Sequence, residues 1–457
     1  MQIRLRNTAT RAIEDFKPLK EGHVGMYHCG PTVYDYAHIG NLRAYVFADV
    51  LRRMFEASGY KDKVTQVINI TDVGHLVSEG DDGEDKMEKG AKREGKSVEE
   101  IIRMYTDAFY ADLKALNILP AHEYPRATEH IAEQIAMIEA LEKKGHTYTT
   151  SDGVYFDAST FPRYAEFAHL DLAGLKSGAR VEENTEKKNP YDFALWKFSG
   201  DTKRLQEWES PWGTGFPGWH IECSAMSKKY LGETFDIHTG GIDHIPVHHT
   251  NEIAQSECAN GKHFVNCWMH SGFMTIEGEK MSKSLGNTYR LSDLKAKGIS
   301  PAALRYWFLT AKYDTQINFT WEALEKAQEK IWNYAYFAVF NKTANSIADK
   351  KTVEKAQEFL QDDLHTPSVV ALIDSIGARD TETLKELLKL LGIDLKEHEE
   401  LLVRVPPEIT ALKKERDHAR EQKDWATSDV LRTKMESLDY IVEDTPLGTR
   451  VSIRHFS

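Results

Sequence analysis

Strand-like and helix-like patterns alternate at the start of the chain, and this alternation sets narrow limits on the fold. The apolar strand VGMYHCG leads through the loop PTVYDYAHIGN into a segment where Leu42, Val46 and Val50 recur at helical spacing until Gly59. The segment KVTQVINI predicts a second buried strand. Because strands that alternate with helices are typical of parallel sheets with crossover helices, the sequence predicts an α/β domain.

The pattern changes along the 457 residues, a length that predicts several domains. After the second strand, the charged, glycine-rich segment VGHLVSEGDDGEDKMEKGAKREGKS predicts a surface excursion. The chain has a helical pattern from Pro301 to about Leu402, and its last segment predicts two short helices and a strand pair. We therefore divide the chain into five parts. The two halves of a sheet domain span 1–118 and 207–320, and an insertion between them spans 119–206. A helical bundle spans 321–402, and a C-terminal module spans 403–457.

Charge and cysteine content exclude several classes of protein. A net charge of −13 and a pI of about 5.8 argue against a surface that coats nucleic acid throughout. An RNA partner would meet a restricted basic face, such as Lys413, Lys414, Arg416 and Arg420. The sequence has no run of about eighteen apolar residues and no apolar signal-peptide core. Four scattered cysteines are too few for a disulfide framework, so we expect a cytoplasmic protein without membrane contact, with free thiols or metal ligands.

The tetrapeptide His38-Ile39-Gly40-Asn41 lies where the first loop passes into a helix. Backbone N–H groups and the positive helix end attract phosphate there, and Gly40 would let a nucleotide approach closely. His38 can donate a hydrogen bond to a developing anion. An isolated match of this kind is more often an ordinary helix start with a capping residue.

A second segment, Lys280–Ser284, is followed by Leu-Gly-Asn and carries two lysines. A flexible loop of this composition can close over a triphosphate, and its ammonium groups can neutralise charge that develops on the phosphates. A solvated surface turn is the alternative. Five defined residues, together with the tetrapeptide upstream, favour phosphate binding.

Four residues could hold a metal ion. His248 and Glu252 have the i, i+4 spacing that places both side chains on one helix face. Cys29 ends the first strand, and Cys223 lies in the segment that rejoins the sheet domain after the insertion. Ligands from remote segments would converge where open α/β sheets bind ligands. Spacing alone also fits buried apolar cysteines and a common helical His–Glu pair.

Together the two loops are the paired signatures of class I aminoacyl-tRNA synthetases, and the chain resembles the cysteinyl-tRNA synthetases along nearly its whole length. The matching stretches are MYHCGPTVYDYAHIGNLR, NITD, GWHIECSAM, FDIHTGGIDHIPVHHTNEIAQSE, EKMSKSLGN, KDWATSDVLR and VEDTPLGT. The resemblance implies a Rossmann-type parallel-sheet catalytic domain with a connective insertion, a helical stem and an anticodon-binding module. It also implies activation of cysteine with ATP and transfer to the 3′ end of tRNA(Cys).

The resemblance further implies one Zn²⁺ per chain with the ligands Cys29, Cys223, His248 and Glu252. Four protein ligands normally mark a closed structural site, so the substrate thiolate would have to join the ion. Such a site would select cysteine chemically, because zinc prefers a soft thiolate to an alcohol. An apolar pocket alone rejects a hydroxyl-bearing isostere only about a hundredfold.

The family pattern also assigns the remaining site residues. It places a catalytic set at His38, Asn41, Lys280 and Lys283, and nucleotide contacts at Gly40, Met281, Ser282 and Ser284, with Mg²⁺ accompanying ATP. It places the cysteine pocket at Gly30, Thr71, Trp219, His238 and Asp243. Packing is the alternative role for Trp219, and capping of a turn is the alternative for Asp243.

The sequence departs from the family pattern at two places, and two other functions are compatible with parts of it. Asn41 replaces the commoner histidine, and Gly74–Asp85 holds an insertion to which no role is assigned. A paralogue that acylates an amino sugar would match the catalytic half, although the C-terminal segment favours tRNA. A non-catalytic zinc- or tRNA-binding descendant is the other rival, and the intact loops argue against it. We expect a monomer.

Overall fold

The structure is a computed structural model, and it describes residues 2–75, 85–171, 186–200, 204–282, 285–340, 347–445 and 448–453. The chain forms two compact units. The first comprises Met1–Arg290, Ala311–Asn318 and Gln357–His365, and the second comprises Leu291–Thr310, Phe319–Ala356 and Thr366–Ser457.

Strands and helices are numbered here in chain order. The first twelve strands are β1 Arg4–Asn7, β2 Ala12–Asp15, β3 Val24–His28, β4 Val64–Ile68, β5 Thr147–Thr150, β6 Gly153–Phe156, β7 Phe193–Phe198, β8 Gly215–Pro217, β9 Phe235–Gly241, β10 Val265–Ser271, β11 Met274–Ile276 and β12 Glu279–Lys280. The first six helices are α1 Ile39–Phe55, α2 Lys86–Glu94, α3 Val98–Ala115, α4 Ile131–Lys143, α5 Trp219–Leu231 and α6 Thr250–Asn260.

A four-stranded parallel sheet forms the centre of the first unit. Its strand order is β10-β9-β3-β4, and all three neighbouring pairs are parallel. Every residue of β3 is buried, as expected for a parallel strand covered on both faces. The predicted α/β class and the two predicted strands, β3 and β4, are confirmed. Strand β10 was not predicted, because polar residues such as Asn266 and His270 interrupt its apolar run.

Helix α1 follows the predicted pattern closely. It begins after His38 and buries Leu42, Val46 and Val50 on one face. A π-helical turn at Glu56–Tyr60 follows, and Gly59 adopts a φ of 95°, a conformation that side-chain-bearing residues rarely adopt. The helix therefore ends where the sequence predicted.

Part of the predicted surface excursion is helical. The Asp85 side chain accepts hydrogen bonds from the backbone N–H groups of Met87 and Glu88, which starts α2. Met87 and Ala91 lie one helical turn apart and are buried. The predicted surface excursion is therefore wrong for the buried face of Lys86–Glu94, while residues 76–84 of the proposed insertion lie outside the described residues.

The segment between the two halves of the parallel sheet contains an antiparallel sheet of its own. Its order is β5-β6-β7-β8, and Phe156, Leu195 and Trp196 contribute to its buried side. The last strand, Gly215–Pro217, lies past residue 206. It leads directly into α5, which packs against β3 and β4 of the parallel sheet.

The second unit is mainly helical, as predicted. Of the last three strands, β13 Ile317–Phe319 pairs with β11 and lies mainly in the first unit, whereas β14 Tyr440–Thr445 and β15 Gly448–Ile453 form a hairpin in the second unit. The remaining helices of the chain are α7 Leu291–Ala296, α8 Pro301–Leu309, α9 Trp321–Phe340, α10 Lys350–Gln361, α11 Thr366–Ile376, α12 Thr381–Leu390, α13 Lys396–Val403, α14 Pro407–Glu421 and α15 Trp425–Glu436. None of the described helices combines the length and apolar composition that crossing a membrane requires.

The C-terminal module consists of two short helices and a strand pair, as predicted. Ile409, Met435, Val442 and Val451 pack together as its small core. Arg416 does not contribute to the predicted basic face on α14, because it is buried and its Nη1 lies 2.6 Å from Asp444 Oδ1. Its neighbours are also paired, with 2.8 Å between Lys413 Nζ and Asp417, and 3.1 Å between Arg420 and Asp444. Folding therefore neutralises much of this positive charge.

Candidate metal centre and phosphate loops

Cys29 lies at the carboxyl end of β3, at the edge where the parallel strands expose their ends. The next residue, Gly30, donates its backbone N–H to the side-chain oxygen of Asn69 over 2.8 Å. Asn69 follows β4, and a Cβ on Gly30 would collide with its carbonyl oxygen. A glycine is therefore required here so that the two strand ends can approach each other.

Cys223 reaches the same edge on helix α5. The helix begins directly after Gly218, where a Cβ would collide with the carbonyl oxygen of Ala194. Its inner face buries Glu222 and Cys223 almost completely. Packing of α5 against the sheet thus brings Cys223 close to Cys29, although the two residues are far apart in sequence.

His248 and Glu252 come from the segment after β9. A π-helical turn, Ile245–His249, leads into α6, and the two side chains lie one turn apart. His248 Nε2 is 3.1 Å from Glu252 Oε1. The four ligand atoms of Cys29, Cys223, His248 and Glu252 all lie within 4.8 Å of one another, and all four residues are buried.

The geometry and chemistry of this cluster fit zinc. Zinc forms bonds of about 2.0–2.3 Å, so tetrahedral ligand atoms lie about 3.3–3.8 Å apart. The Cys29 sulfur lies 3.7 Å from Glu252 Oε1, and the His248–Glu252 distance is close to that range. Two thiols, an imidazole and a carboxylate form a donor set that favours zinc over calcium or magnesium.

The charges of the cluster also favour a cation. Burial would raise the pKa of Glu252, but His238 and His248 outweigh it and hold this pKa at about 2. Burial would lower the pKa of His248, yet Cys223 and Glu252 raise it to about 10. The hydrogen bond from Cys29 lowers the pKa of Cys223, whereas burial raises that of Cys29. Glu252 therefore stays a carboxylate, and the lowered pKa of Cys223 favours the loss of the thiol proton that binding of a divalent cation requires.

The loop that the sequence predicts to bind phosphate, which ends at His38–Asn41, is held by a reciprocal cap at the start of α1. His38 Nδ1 accepts from the backbone N–H of Asn41 over 3.1 Å, and the Asn41 side-chain oxygen accepts from the backbone N–H of His38 over 3.2 Å. This is a capping box built from unusual residue types. An asparagine at position 41 thus completes the cap without an ionisable ring.

The second loop lies against the first. A Cβ placed on Gly40 would be 3.3 Å from the Met281 methyl group, and Ile39 donates its N–H to the Tyr289 carbonyl over 2.9 Å. The Asn287 side chain braces the loop, since it accepts from the backbone N–H of Ser282 over 2.8 Å. Lys280 is exposed at the end of β12, whereas Lys283 and Ser284 lie outside the described residues.

Comparison with known proteins identifies the family to which this architecture belongs. A family model described as "tRNA synthetases class I (C) catalytic domain" matches residues 15–329, and one described as "Cysteinyl-tRNA ligase anticodon binding domain" matches residues 403–454. The chain belongs to the cysteinyl-tRNA synthetase family. Cysteine–tRNA ligase 1 of Burkholderia lata is 48% identical over 99% of this chain and 97% of its own length. Cysteine–tRNA ligase of Treponema denticola is 43% identical over 97% and 98%.

Solved structures resemble the fold of this cysteinyl-tRNA synthetase family member at much lower identity. Methionyl-tRNA synthetase of Mycobacterium tuberculosis, in complex with methionyl-adenylate, superposes with a TM-score of 0.57 at 15% identity, covering 84% of this chain and 94% of that chain. LeuRS of Agrobacterium radiobacter K84, in a ternary complex, gives 0.57 at 11% identity over 84% and 85%. These likenesses show a shared class I synthetase fold.

Two of the predicted cysteine-pocket residues, His238 and Trp219, contact members of the ligand cluster, and Thr71 contacts Glu222 next to it in sequence. Thr71 donates to Glu222 over 3.0 Å, His238 Nε2 is 3.1 Å from Glu252 Oε2, and the Trp219 ring centroid lies 4.9 Å from that of His248. Asp243 differs, because its side chain is 64% exposed and its nearest ion-pair partner is His244 at 4.0 Å. The structure thus brings Asp243 to the rim rather than to the buried cluster.

Sequence reasoning missed several buried polar neighbours. His249 Nε2 lies 3.3 Å from the Cys29 sulfur, and His249 forms an alternative ligand group with Cys29, His238 and Glu252. Its i, i+3 spacing to Glu252 was a usable signal. Glu222 and His75, which are 2.7 Å apart, had no comparable signal because they come from distant segments.

Proposed function

We propose that this chain activates cysteine with ATP and transfers the cysteinyl group to the 3′ end of tRNA(Cys). The observation that carries the proposal is the buried cluster of two thiols, an imidazole and a carboxylate within 4.8 Å, in a chain of the cysteinyl-tRNA synthetase family. The two phosphate loops lie next to each other on the same unit. Amino-acid selection and nucleotide binding would therefore occur on one unit of the chain.

We propose one zinc ion per chain, held by Cys29, Cys223, His248 and Glu252. When bound, zinc supplies a soft Lewis acid that binds the substrate thiolate in preference to the serine hydroxyl. The protein itself would contribute a buried and charged environment for this selection of cysteine over serine. The Trp219 ring lies beside His248, and we assign Gly30, at the sheet edge, to the cysteine pocket as well.

Adenylate formation needs positioning and charge stabilisation rather than a protein nucleophile. A carboxylate oxygen of cysteine forms a bond to the α-phosphorus, while the bond to the pyrophosphate oxygen breaks and pyrophosphate leaves with its charge. We assign the stabilisation of that charge to His38 and Asn41 on the first loop and to Lys280 and Lys283 on the second. Gly40, Met281, Ser282 and Ser284 would complete the ATP site, with Mg²⁺ bound mainly through the phosphates.

We assign three more polar residues to the cysteine pocket at the carboxyl ends of the parallel strands. Thr71 and His238 are buried polar groups beside the cluster and would orient the substrate. Asp243, at the rim, would face the substrate ammonium group as a carboxylate. We also propose that the five parts of the chain meet at residues 118, 206, 320 and 402.

We propose that the cysteinyl group of the adenylate formed in the first step is transferred to tRNA. The match of residues 403–454 to an anticodon-binding model supports tRNA over an amino sugar as acceptor. One chain provides all four proposed ligands, which is consistent with a monomer. A synthetase acts where tRNA is charged, so we propose the cytoplasm as its location.

Cysteine-dependent ATP–pyrophosphate exchange tests the activation step. We expect exchange with cysteine and well over a hundredfold less exchange with serine, because an apolar pocket alone supplies only about a hundredfold. Charging of a tRNA(Cys) transcript, with a tRNA(Ser) transcript as control, tests the transfer step. Exchange without charging of either transcript would contradict the proposed acceptor, and no exchange at all would contradict the proposed enzyme.

A further inference from the structure

Arg43 is a buried guanidinium on α1, shortly after the first phosphate loop, and it makes contacts that the proposed reaction has not yet explained. Its side chain is almost completely enclosed. The guanidinium donates to five backbone carbonyl oxygens at 2.6–3.2 Å, those of Gly272, Phe273, Lys312, Tyr313 and Thr315. One cation therefore gathers two chain segments onto the helix that begins with the first loop.

Those carbonyls lie at the base of the hairpin that carries the second loop. Gly272 and Phe273 lead into β11, and the segment from Lys312 to Thr315 leads into β13. The strand order β12-β11-β13 connects both to Lys280, which pairs with Thr275. The position of the Lys280 backbone thus depends on strands that Arg43 holds.

The other end of the hairpin segment also rests on the first loop. The Arg290 guanidinium lies 4.3 Å from the centroid of the Tyr36 ring and 3.6 Å from Asp35. The Tyr289 carbonyl accepts from Ile39 in the same region. Both ends of segment 272–290 are therefore attached to residues 35–43.

An arginine suits the Arg43 position for a physical reason. Five carbonyl dipoles that point at one buried place repel one another, and the planar guanidinium can donate to all of them at once. Lysine has three donors on a compact ammonium group and cannot reach both segments in the same way. Burial lowers the pKa of Arg43 to about 10, so the group still carries its charge at neutral pH.

We propose that Arg43 and Arg290 are positioning residues for adenylate formation, which hold the two ends of the lysine-bearing segment 272–290 in register with His38 and Asn41. This inference rests on the proposed function. It assigns neither residue a contact with substrate. Their effect would appear in steps that need both phosphate loops, and not in cysteine recognition at the ligand cluster.

The test compares Arg43→Lys and Arg290→Ala with the wild type and with Arg53→Lys as a matched control. Arg53 lies on the same helix and has equally close partners, 2.7 Å from Asp49 Oδ2 and 2.7 Å from the Asn117 carbonyl, and neither partner belongs to either loop. The measurements are kcat and the KM for ATP and for cysteine in pyrophosphate exchange, the zinc content, and the thermal unfolding midpoint.

For Arg43→Lys we expect kcat to fall on the order of a hundredfold, because small misplacements of catalytic groups have effects of that size. The KM for ATP should rise, while the KM for cysteine and the zinc content stay unchanged. Arg290 is half exposed, so Arg290→Ala should fold normally and show a change in the same direction of about tenfold. Arg53→Lys should leave all of these kinetic values unchanged.

Either of two results would overturn the inference. One is wild-type kcat and KM for ATP in Arg290→Ala or in a folded Arg43→Lys. The other is a parallel loss of zinc, cysteine binding and kcat, which would indicate a general structural role. A wild-type enzyme without exchange would instead contradict the proposed function itself, so the two failures are distinguishable.

Discussion

Replacing the Cys223 thiol with a hydroxyl changes one atom of the ligand cluster, and we expect zinc affinity to fall steeply. Cys223 is buried, and its pKa is lowered, chiefly by the hydrogen bond from Cys29, whereas a serine hydroxyl stays protonated at neutral pH. Structural zinc sites contribute about 10–16 kcal/mol, so one of four ligands accounts for about 3–4 kcal/mol. That difference corresponds to roughly a few hundredfold in the dissociation constant of zinc.

The assay is competition for zinc against a chromophoric chelator at neutral pH, with elemental analysis of the dialysed protein. Cys267→Ser is the matched control, because Cys267 is a buried cysteine on β10 outside both ligand groups. Cys223→Ser should lose zinc and discriminate cysteine from serine poorly, while Cys267→Ser should keep both properties. If Cys223→Ser binds zinc as tightly as the control, the ion belongs to another ligand set, such as that of Cys29, His238, His249 and Glu252.

Three further changes test other parts of the molecule. Lys283→Ala should lower kcat for pyrophosphate exchange strongly with little effect on the KM for cysteine, and unchanged exchange would remove the second loop from the mechanism. Gly30→Ala should destabilise the protein by about 1–3 kcal/mol, because the added Cβ collides with the Asn69 carbonyl; an unchanged urea midpoint would refute that reading. Asp444→Asn should destabilise the C-terminal module at neutral pH, because the hydrogen bond from Arg416 lowers the pKa of Asp444 below its ordinary value of 3.8. That stabilisation is present above pH 3.8 and is lost as the pH falls through the lowered pKa, so the two proteins should converge in acid. Parallel pH profiles of unfolding would contradict this assignment.

The parallel sheet and helix α1 were predictable because their signals are local. Strand β3 is a continuous apolar run, and α1 repeats apolar residues at helical spacing up to Gly59. The two helices and the hairpin of the C-terminal module have similar local signals. Patterns of this kind depend on which face of one element is buried, and neighbouring residues determine that face.

Elements that depend on distant partners were less predictable. Strand β10 contains polar residues that the protein interior accommodates, for example His270, whose Nδ1 lies 2.7 Å from the Thr8 hydroxyl. The positive charge of Arg416 looked like an RNA-binding surface in sequence, but Asp444 pairs with it in the folded module. Such outcomes are decided by tertiary contacts, which a local window does not contain.

The candidate site shows the same division. Spacing suggested a common site for His248 and Glu252, whereas only the sheet and the packing of α5 bring Cys29 and Cys223 to them. Arg43 had no sequence signal, because its partners are backbone carbonyls and not particular side chains. Residue types thus indicate what chemistry is available, and topology determines where it is assembled.

X-ray absorption at the zinc edge tests the central claim most directly. The account predicts two sulfur ligands at about 2.3 Å in the zinc-loaded protein, with the remaining ligands nitrogen and oxygen at about 2.0–2.2 Å. Adding cysteine should raise the sulfur count to three, and adding serine should leave it at two. A sulfur count below two, or no increase with saturating cysteine, would contradict selection of the substrate thiol at this cluster.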